Sequence, residues 1–259
     1  WWSPPWVGYL NSQRKDSPKA FWGTLLVLIV VGGGYVYYDS LPKPEMVVAR
    51  AQTPPITPNV KDAVPNPLRV SFNLNGIPAS VAALDTIDKD LNNSIKVAPA
   101  LKGEWKWESE NTLIFTPEKD WPAGQEYSLI FSEELFSKSV ELEEYGATFS
   151  TPSFKAAINS IRFYKDPEDS QIRKVVGALS FSHPVDSKSF EEKLSLYMQS
   201  KKASDKRGAK PYKFTVSYDD NKRQAYIHSE TVSIEKDETY MYLDVAEGIK
   251  PVYGPSESS

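Results

Sequence analysis

A run of nineteen uncharged residues, 20–38, constrains this chain more than any other feature. The run contains no proline, and as a helix it rises about 28 Å, close to the hydrocarbon thickness of a bilayer. Aromatic residues stand at both ends of the run, as in the interfacial belts of membrane proteins: Phe21, Trp22, Tyr35, Tyr37 and Tyr38. The run therefore predicts one transmembrane helix over 20–38.

The charges beside this segment predict its orientation. Three basic residues precede it: Arg14, Lys15 and Lys19. Asp39 follows it directly. Because basic residues stay on the cytoplasmic side, we expect 1–19 to be a cytoplasmic tail and the rest of the chain after Asp39 to lie outside.

A cleaved signal peptide is the alternative interpretation, with Ala49-Arg50-Ala51 as a small-x-small cleavage site. That site lies well past the end of the apolar run, and the run is long for a signal core. Both observations favour an uncleaved anchor. A lipid-linked cysteine is excluded within this chain, which has no cysteine.

Length and charge set further limits. The chain has 259 residues and a formal charge of −4. Beyond the anchor and its flanks about two hundred residues remain, enough for two domains of about a hundred residues each. Mild acidity argues against nucleic-acid binding, which requires a basic face. Because the chain starts at Trp1 rather than at Met, we expect it to be a piece of a longer protein.

Proline is concentrated just after the apolar run. Residues 39–67 contain seven prolines and few large apolar residues. This composition is typical of an extended, semi-rigid spacer. We predict a Pro-rich linker over 39–67.

From residue 68 onward, short runs of alternating apolar and polar residues predict β-strands, with turn residues such as Asn75-Gly76 between them. The strands predicted in this first region are 69–72, 95–97, 104–107, 112–115, 127–131 and 147–149. Short strands at this spacing predict a β-sandwich over 68–153.

The region 154–254 repeats this plan. After a strand region that opens near Ile158, the predicted strands are 178–181, 194–197, 214–218, 224–228 and 240–245. Matching segments keep their order between the two regions, with helical turns predicted at 85–93 and 187–193. The predicted fold class is all-β, with tandem Ig-like sandwiches preceded by one transmembrane helix.

Few residues suggest chemistry. The segment 88–93 begins like a calcium loop, but Asn93 and Pro99 stand where such a loop needs glycine and glutamate, which favours a polar connection between strands. His183 and His228 are expected at surface or turn positions. The sequence thus predicts no catalytic, cofactor-binding or metal-binding residue.

Three clusters have a functional and a structural interpretation. Glu133, Glu134, Glu141, Glu143 and Glu144 are expected to form a solvated rim rather than an acid–base pair. The tryptophans Trp105, Trp107 and Trp121 could stack on sugars, but large aromatics more often form the core of such a sandwich. The basic residues Lys201, Lys202, Lys206, Arg207 and Lys210 could contact anionic lipid or an acidic neighbour, but a solvated loop is the favoured interpretation.

Three segments of the first region resemble the first macroglobulin-like domains of bacterial α2-macroglobulins: Gly103-Glu104-Trp105-Lys106-Trp107, Asn111-Thr112-Leu113-Ile114-Phe115-Thr116-Pro117 and Trp121-Pro122-Ala123-Gly124-Gln125-Glu126-Tyr127. The ending 245–254 is also similar to the way such domains close. The resemblance covers about residues 65–254. Bacterial Ig-like surface domains share part of the same pattern.

That resemblance implies a periplasmic protease trap with a role in bacterial defence. Family members offer a bait segment, and many capture the protease through a Cys–Gln thioester; no such functional residue carries over to this chain. We expect a non-enzymatic, N-terminal scaffold of an endopeptidase inhibitor, without cofactor, anchored in the inner membrane. The resemblance implies proteases as targets of the whole protein and a penicillin-binding protein as a further partner.

The alternative function is a membrane-anchored Ig-like surface or adhesion module that binds glycan or protein. Exposure of Trp105 and Trp107 would favour this alternative, because exposed aromatic rows stack on sugars.

Overall fold

The structure is a computed structural model that describes residues 4, 7, 18–40, 43–87, 89–169, 171–200, 209–233 and 238–258. It divides into two compact units, Trp1–Glu45 and Met46–Ser259.

The first unit contains the helix α1 (Pro18–Ser40). Its portion Trp22–Ser40 is long and apolar enough to cross a membrane, and none of it is buried. The predicted helix over 20–38 is therefore confirmed as a helix, extended by two residues at each end. Most of the predicted tail 1–19, and the side chain of Phe21, lie outside the described residues.

The second unit begins with a β-sandwich. One sheet has the strand order β5-β6-β2-β1-β8, with β3 paired to β2, and the other has the order β4-β7-β9. The strands are β1 (Glu45–Gln52), β2 (Leu68–Leu74), β3 (Ile77–Pro78), β4 (Ile95–Ala98), β5 (Gly103–Ser109), β6 (Thr112–Pro117), β7 (Glu126–Phe131), β8 (Val140–Leu142) and β9 (Gly146–Ser150).

A second β-sandwich follows. Its sheets have the orders β10-β11-β15-β14 and β13-β12-β16, and a short helix α2 (Ser187–Glu192) precedes β12. The strands are β10 (Ala156–Lys165), β11 (Arg173–Phe181), β12 (Leu194–Ser200), β13 (Lys210–Pro211), β14 (Phe214–Tyr218), β15 (Gln224–Ser229) and β16 (Thr239–Val245).

The two sandwiches repeat one strand order. The path β1-β2-β6-β5 corresponds to β10-β11-β15-β14, and the pair β4-β7 corresponds to β12-β16. The predicted tandem of all-β sandwiches behind one helix is confirmed, and the repeat appears in the pairing of the strands. The exact domain limits 68–153 and 154–254 stay predictions.

The linker predicted over 39–67 is wrong for its middle part. Residues 45–52 form β1, which pairs antiparallel with β2 from Val48↔Asn73 to Gln52↔Arg69 and is the counterpart of β10. Val47 is fully buried, because it lies on the core side of this sheet. Because prolines flank residues 45–52, the short alternating run within them was assigned to the linker and not to a strand.

Local sequence explains several connections. Asn75 and Gly76 both have positive φ (51° and 84°), as the tight turn between β2 and β3 requires. Asp186 caps α2, because its side chain accepts a hydrogen bond from the Ser189 amide at 2.7 Å. The helical turn predicted at 187–193 is thus confirmed, whereas the described residues of 85–93 form turns without a helix.

Candidate functional site

A group of connected polar contacts lies where the two sandwiches meet, and we call this site the joint. Four segments form it: residues 53–67, the turn 118–124 after β6, the turn 219–223 between β14 and β15, and the ending 251–258. A cleft of about 450 Å³ opens beside it.

Arg223 is the central charge of the joint and is 6% exposed. Its Nη2 lies 2.5 Å from Oδ2 of Asp120, in the first sandwich, and its Nη1 donates to the carbonyl oxygen of Thr57. The Thr57 hydroxyl donates to Oδ1 of Asp120 at 2.6 Å, and the same oxygen accepts from the Trp121 amide at 3.0 Å. A buried guanidinium is tolerated only when it is paired and hydrogen-bonded, so these contacts join the two sandwiches.

A turn holds Arg223 in place. Oδ1 of Asp219 accepts hydrogen bonds from the amides of Arg223 (2.7 Å) and Gln224 (2.8 Å), and its Oδ2 accepts from Asn59 at 2.9 Å. Burial alone would raise the pKa of Asp219, but the hydrogen bonds from Asn59, Gln224 and Arg223 hold this pKa below its usual range. The ionised carboxylate therefore organises the turn and links it to the 53–67 segment.

His183 lies beside this pair. It is 3% exposed, and its Nδ1 is 2.9 Å from the Ser182 hydroxyl. Burial and the positive charge of Arg223 lower the pKa of His183, although Asp120 acts in the opposite direction. The expectation of a surface position is wrong for His183, which occupies a bend but is packed under the joint; His228, on β15, is exposed.

The ending 251–258 folds back onto the first sandwich. The Ala123 amide donates to the carbonyl of Tyr253 at 3.0 Å, and the Phe154 amide donates to Oγ of Ser256 at 3.1 Å. Gly254 has a φ of +112°, and a Cβ there would lie 2.3 Å from the Ala123 carbonyl oxygen. Only glycine allows the backbones to approach this closely.

The tryptophans of the first sandwich are core residues, as the structural interpretation predicted. Trp105, Trp107 and Trp121 are 1%, 8% and 4% exposed. Trp107 donates from Nε1 to the Thr86 hydroxyl at 3.1 Å, and Trp121 donates to the Asn66 carbonyl at 2.7 Å. They form no exposed row on which a sugar could stack.

The structure places the other predicted clusters apart from the joint. The five glutamates between 133 and 144 are all exposed. In the segment resembling a calcium loop, Asp90 accepts from the Asn92 amide and Asn92 accepts from the Trp105 amide, so both side chains serve local backbone contacts. Asp88 lies outside the described residues. So do the four basic residues between 201 and 207, whereas Lys210 lies over the Tyr212 ring at 5.3 Å.

The joint was not predicted from the sequence. Arg223 is 103 residues from Asp120 and 166 from Thr57, and a lone arginine in a polar turn gives no signal of burial. The hydrogen-bond donors and acceptors of Arg223, Asp120 and Thr57 pair with one another. Within the described ranges, no group of three or more His, Asp or Glu side chains could hold a metal ion. The arrangement fixes two domains relative to each other and offers no activated nucleophile.

Fold and joint together define a class: a rigid pair of β-sandwiches behind a helix that could cross a membrane. No known protein-family profile matches the chain. Three curated relatives match the chain in sequence. An alpha-2-macroglobulin homolog of Yersinia pestis is 29% identical over 90% of this chain and 12% of its own length. Alpha-2-macroglobulins of Pasteurella multocida and Rickettsia conorii are 31% and 25% identical over 73% and 64% of this chain, and over 10% and 8% of their lengths.

The chain belongs to the bacterial alpha-2-macroglobulin family, as its resemblance predicted. It spans about a tenth of the length of these relatives. Among solved structures, L,D-transpeptidases from Mycobacterium tuberculosis and Mycobacterium smegmatis align over 63% and 79% of this chain and 64% and 79% of their own. Both are 14% identical with a TM-score of 0.20, which is too low to relate the folds.

Proposed function

We propose that this chain is the N-terminal, membrane-anchored scaffold of a bacterial alpha-2-macroglobulin-like endopeptidase inhibitor in the periplasm. The observation that carries the proposal is the joint seen in a chain of this family: Arg223, Asp120 and Thr57 lock two sandwiches into one compact unit. A protease trap needs a wall that keeps its shape while other parts move. A locked pair of sandwiches is suited to be part of such a wall.

The scaffold itself has no enzymatic role in this proposal. Its helix α1 anchors it in the inner membrane with the N-terminus in the cytoplasm, since Arg14, Lys15 and Lys19 precede the apolar run. Proteases are the targets of the whole protein, and a penicillin-binding protein is a further partner; both follow from the family resemblance.

The trapping function is tested on the family-length polypeptide. A trapped protease should still cleave a small chromogenic peptide but should lose activity on a large protein substrate. Arg223→Met in the same polypeptide should weaken this size-selective protection, because it releases one sandwich from the other. Arg50→Met, which changes an exposed arginine on β1, is the matched control and should have no effect. Equal inhibition of both substrates, or none, would contradict the proposal.

The orientation is tested with reporters fused after residue 258. Alkaline phosphatase should be active there and a cytosolic reporter inactive. Replacing Arg14, Lys15 and Lys19 by glutamate should lower the alkaline phosphatase signal, because it removes the positive flank. Lys43→Glu, on the other side of the helix, is the control. A signal from the cytosolic reporter in the unmodified chain would refute the anchor proposed here.

A further inference from the structure

In the described part of the second sandwich, two strands that close the first sandwich, β8 and β9, have no counterpart. In the first sandwich, β8 pairs with the outer edge of β1, and β9 pairs with β7. The second sandwich repeats six strands of the first, β1, β2, β4, β5, β6 and β7. Among the described residues, no strand pairs with β10, the counterpart of β1, on the side away from β11.

The side chains of the two edge strands differ accordingly. In the first sandwich Val47 on β1 is fully buried, and Val140 and Leu142 of β8 lie 9% and 3% exposed beside it. On β10, Ile158, Ile161 and Phe163 are 48%, 45% and 56% exposed.

These three β10 side chains face the core side of their sheet. Their cross-strand partners on β11 are Leu179, Gly177 and Val175, which are buried residues, and cross-strand partners share one face. A groove of about 460 Å³ opens beside Ile161 and Phe163, and Met198 and Met241 of the opposite sheet line its other wall. Proteins normally cover an edge strand of this length that exposes apolar side chains, or interrupt it with charged residues, proline or a bulge.

We propose that a β-strand from the family-length polypeptide, outside these 259 residues, pairs with β10 and covers this groove as β8 covers β1. This inference rests on the proposed function in taking the chain as part of a larger scaffold. The curated relatives are about ten times longer than the matched segment, so they supply ample chain for such a strand. The inserted strand should be extended, with large apolar side chains at alternate positions facing Ile161 and Phe163.

The described residues that follow β16 form no such strand. In the first sandwich, the chain passes from β7 to β8 and β9 within twenty residues. After β16 it instead turns back, pairs Pro251 with Val185, and continues along the joint to Ala123. The described ending lies beside Ala156–Ile158 of β10 but forms no strand paired with it.

Amide hydrogen exchange tests the proposal. Amides of β10 should exchange about tenfold or more slowly in the family-length polypeptide than in the 259-residue chain, because a paired edge exchanges only when it opens. β14, at the opposite edge of the same sheet, is the internal reference and should not change. Equal exchange of β10 in the two proteins would overturn the proposal. Protection that grows with protein concentration would assign the edge to a second copy and would also overturn it.

A pair of variants sharpens this test. Ile161→Lys in the family-length polypeptide should return β10 exchange to the rate of the 259-residue chain, because a charge cannot occupy the covered groove. Ile130→Lys, on β7 and 58% exposed, is the matched control and should leave β10 protected. In the 259-residue chain neither variant should unfold the protein, since both side chains are already half exposed. Retained protection in Ile161→Lys would contradict the pairing.

The outcome separates this inference from the trapping function. Protection of β10 without size-selective protease inhibition would leave the strand pairing in place and would reject only the protease trap. Size-selective inhibition without protection of β10 would reject only the strand pairing.

Discussion

Among the described residues, one continuous buried cluster of the first sandwich contains nine aromatic side chains, whereas the buried apolar residues of the second form two smaller clusters that contain four. Phe72 illustrates the first arrangement: its ring lies 5.3 to 5.9 Å from those of Trp107, Phe131 and Phe136. The strand order is nevertheless the same. The repeated unit therefore keeps the same order of strand pairing, while different sets of side chains fill the two cores.

The largest expected effect compares two phenylalanines that are both fully buried, Phe72 in the first sandwich and Phe190 in the second. Replacement of either by alanine should lower the free energy of unfolding by about 3 to 5 kcal/mol, because each leaves a cavity. Phe72→Ala should cost more, since Phe72 contacts three rings and Phe190 contacts two, Phe181 and Tyr218. Denaturant unfolding followed by circular dichroism measures both, because every tryptophan of the chain lies outside the second sandwich.

Tyr226→Ala serves as the control, because this side chain is 40% exposed and should cost far less. A larger loss for Phe190→Ala than for Phe72→Ala would break the comparison between the two cores.

The next effect concerns the contact between the sandwiches. Arg223→Met should lower the free energy of unfolding by about 2 to 3 kcal/mol, because it removes charge-assisted hydrogen bonds to Asp120 and Thr57. It should also separate one unfolding transition into two, one for each sandwich. Arg50→Met, at an exposed site, should leave the single transition intact. A single unshifted transition in Arg223→Met would show that the joint does not couple the domains.

The smallest effect depends on pH. Because the folded protein holds the pKa of His183 below its ordinary value, the unfolded chain takes up the proton first as the pH falls. Stability should therefore be complete above about pH 6.5 and should decline below it, by at most about 1.4 kcal/mol per pH unit. His183→Gln should remove this slope, measured as the melting temperature between pH 7.5 and 5.5.

His228→Gln is the matched control, since His228 is exposed. It should leave the slope unchanged. If His228→Gln abolished the slope instead, the assignment of the effect to the joint would be wrong.

Local patterns were sufficient to predict much of the fold. All eleven strands with predicted limits occur, because apolar and polar residues alternate within each of these short segments. The strands that were missed have weak local signals: β3 and β13 have two residues each, β8 has three, and prolines flank β1. Comparison of the two regions could have indicated β1. A strand region was predicted at the start of the second region, near Ile158, but no matching strand was predicted before residue 68.

The joint could not be predicted in this way. Its contacts depend on how two folded sandwiches meet, and that arrangement is not encoded in any single window of sequence. Asp120 lies in a polar turn and Thr57 in a proline-rich stretch, and each has an ordinary local explanation. The burial of His183 follows from the same meeting of domains, which is why a surface position was expected for it.

The wide separation of Thr57, Asp120 and Arg223 along the chain also has a consequence for biogenesis. The first sandwich ends with β9 at Ser150, so the ribosome has synthesised all of it, including Thr57 and Asp120, about seventy residues before it reaches Arg223. During synthesis, the first sandwich of each nascent chain is therefore able to fold before the contacts that fix it to the second sandwich exist. The joint is completed only after Arg223 and the ending 251–258 have been synthesised.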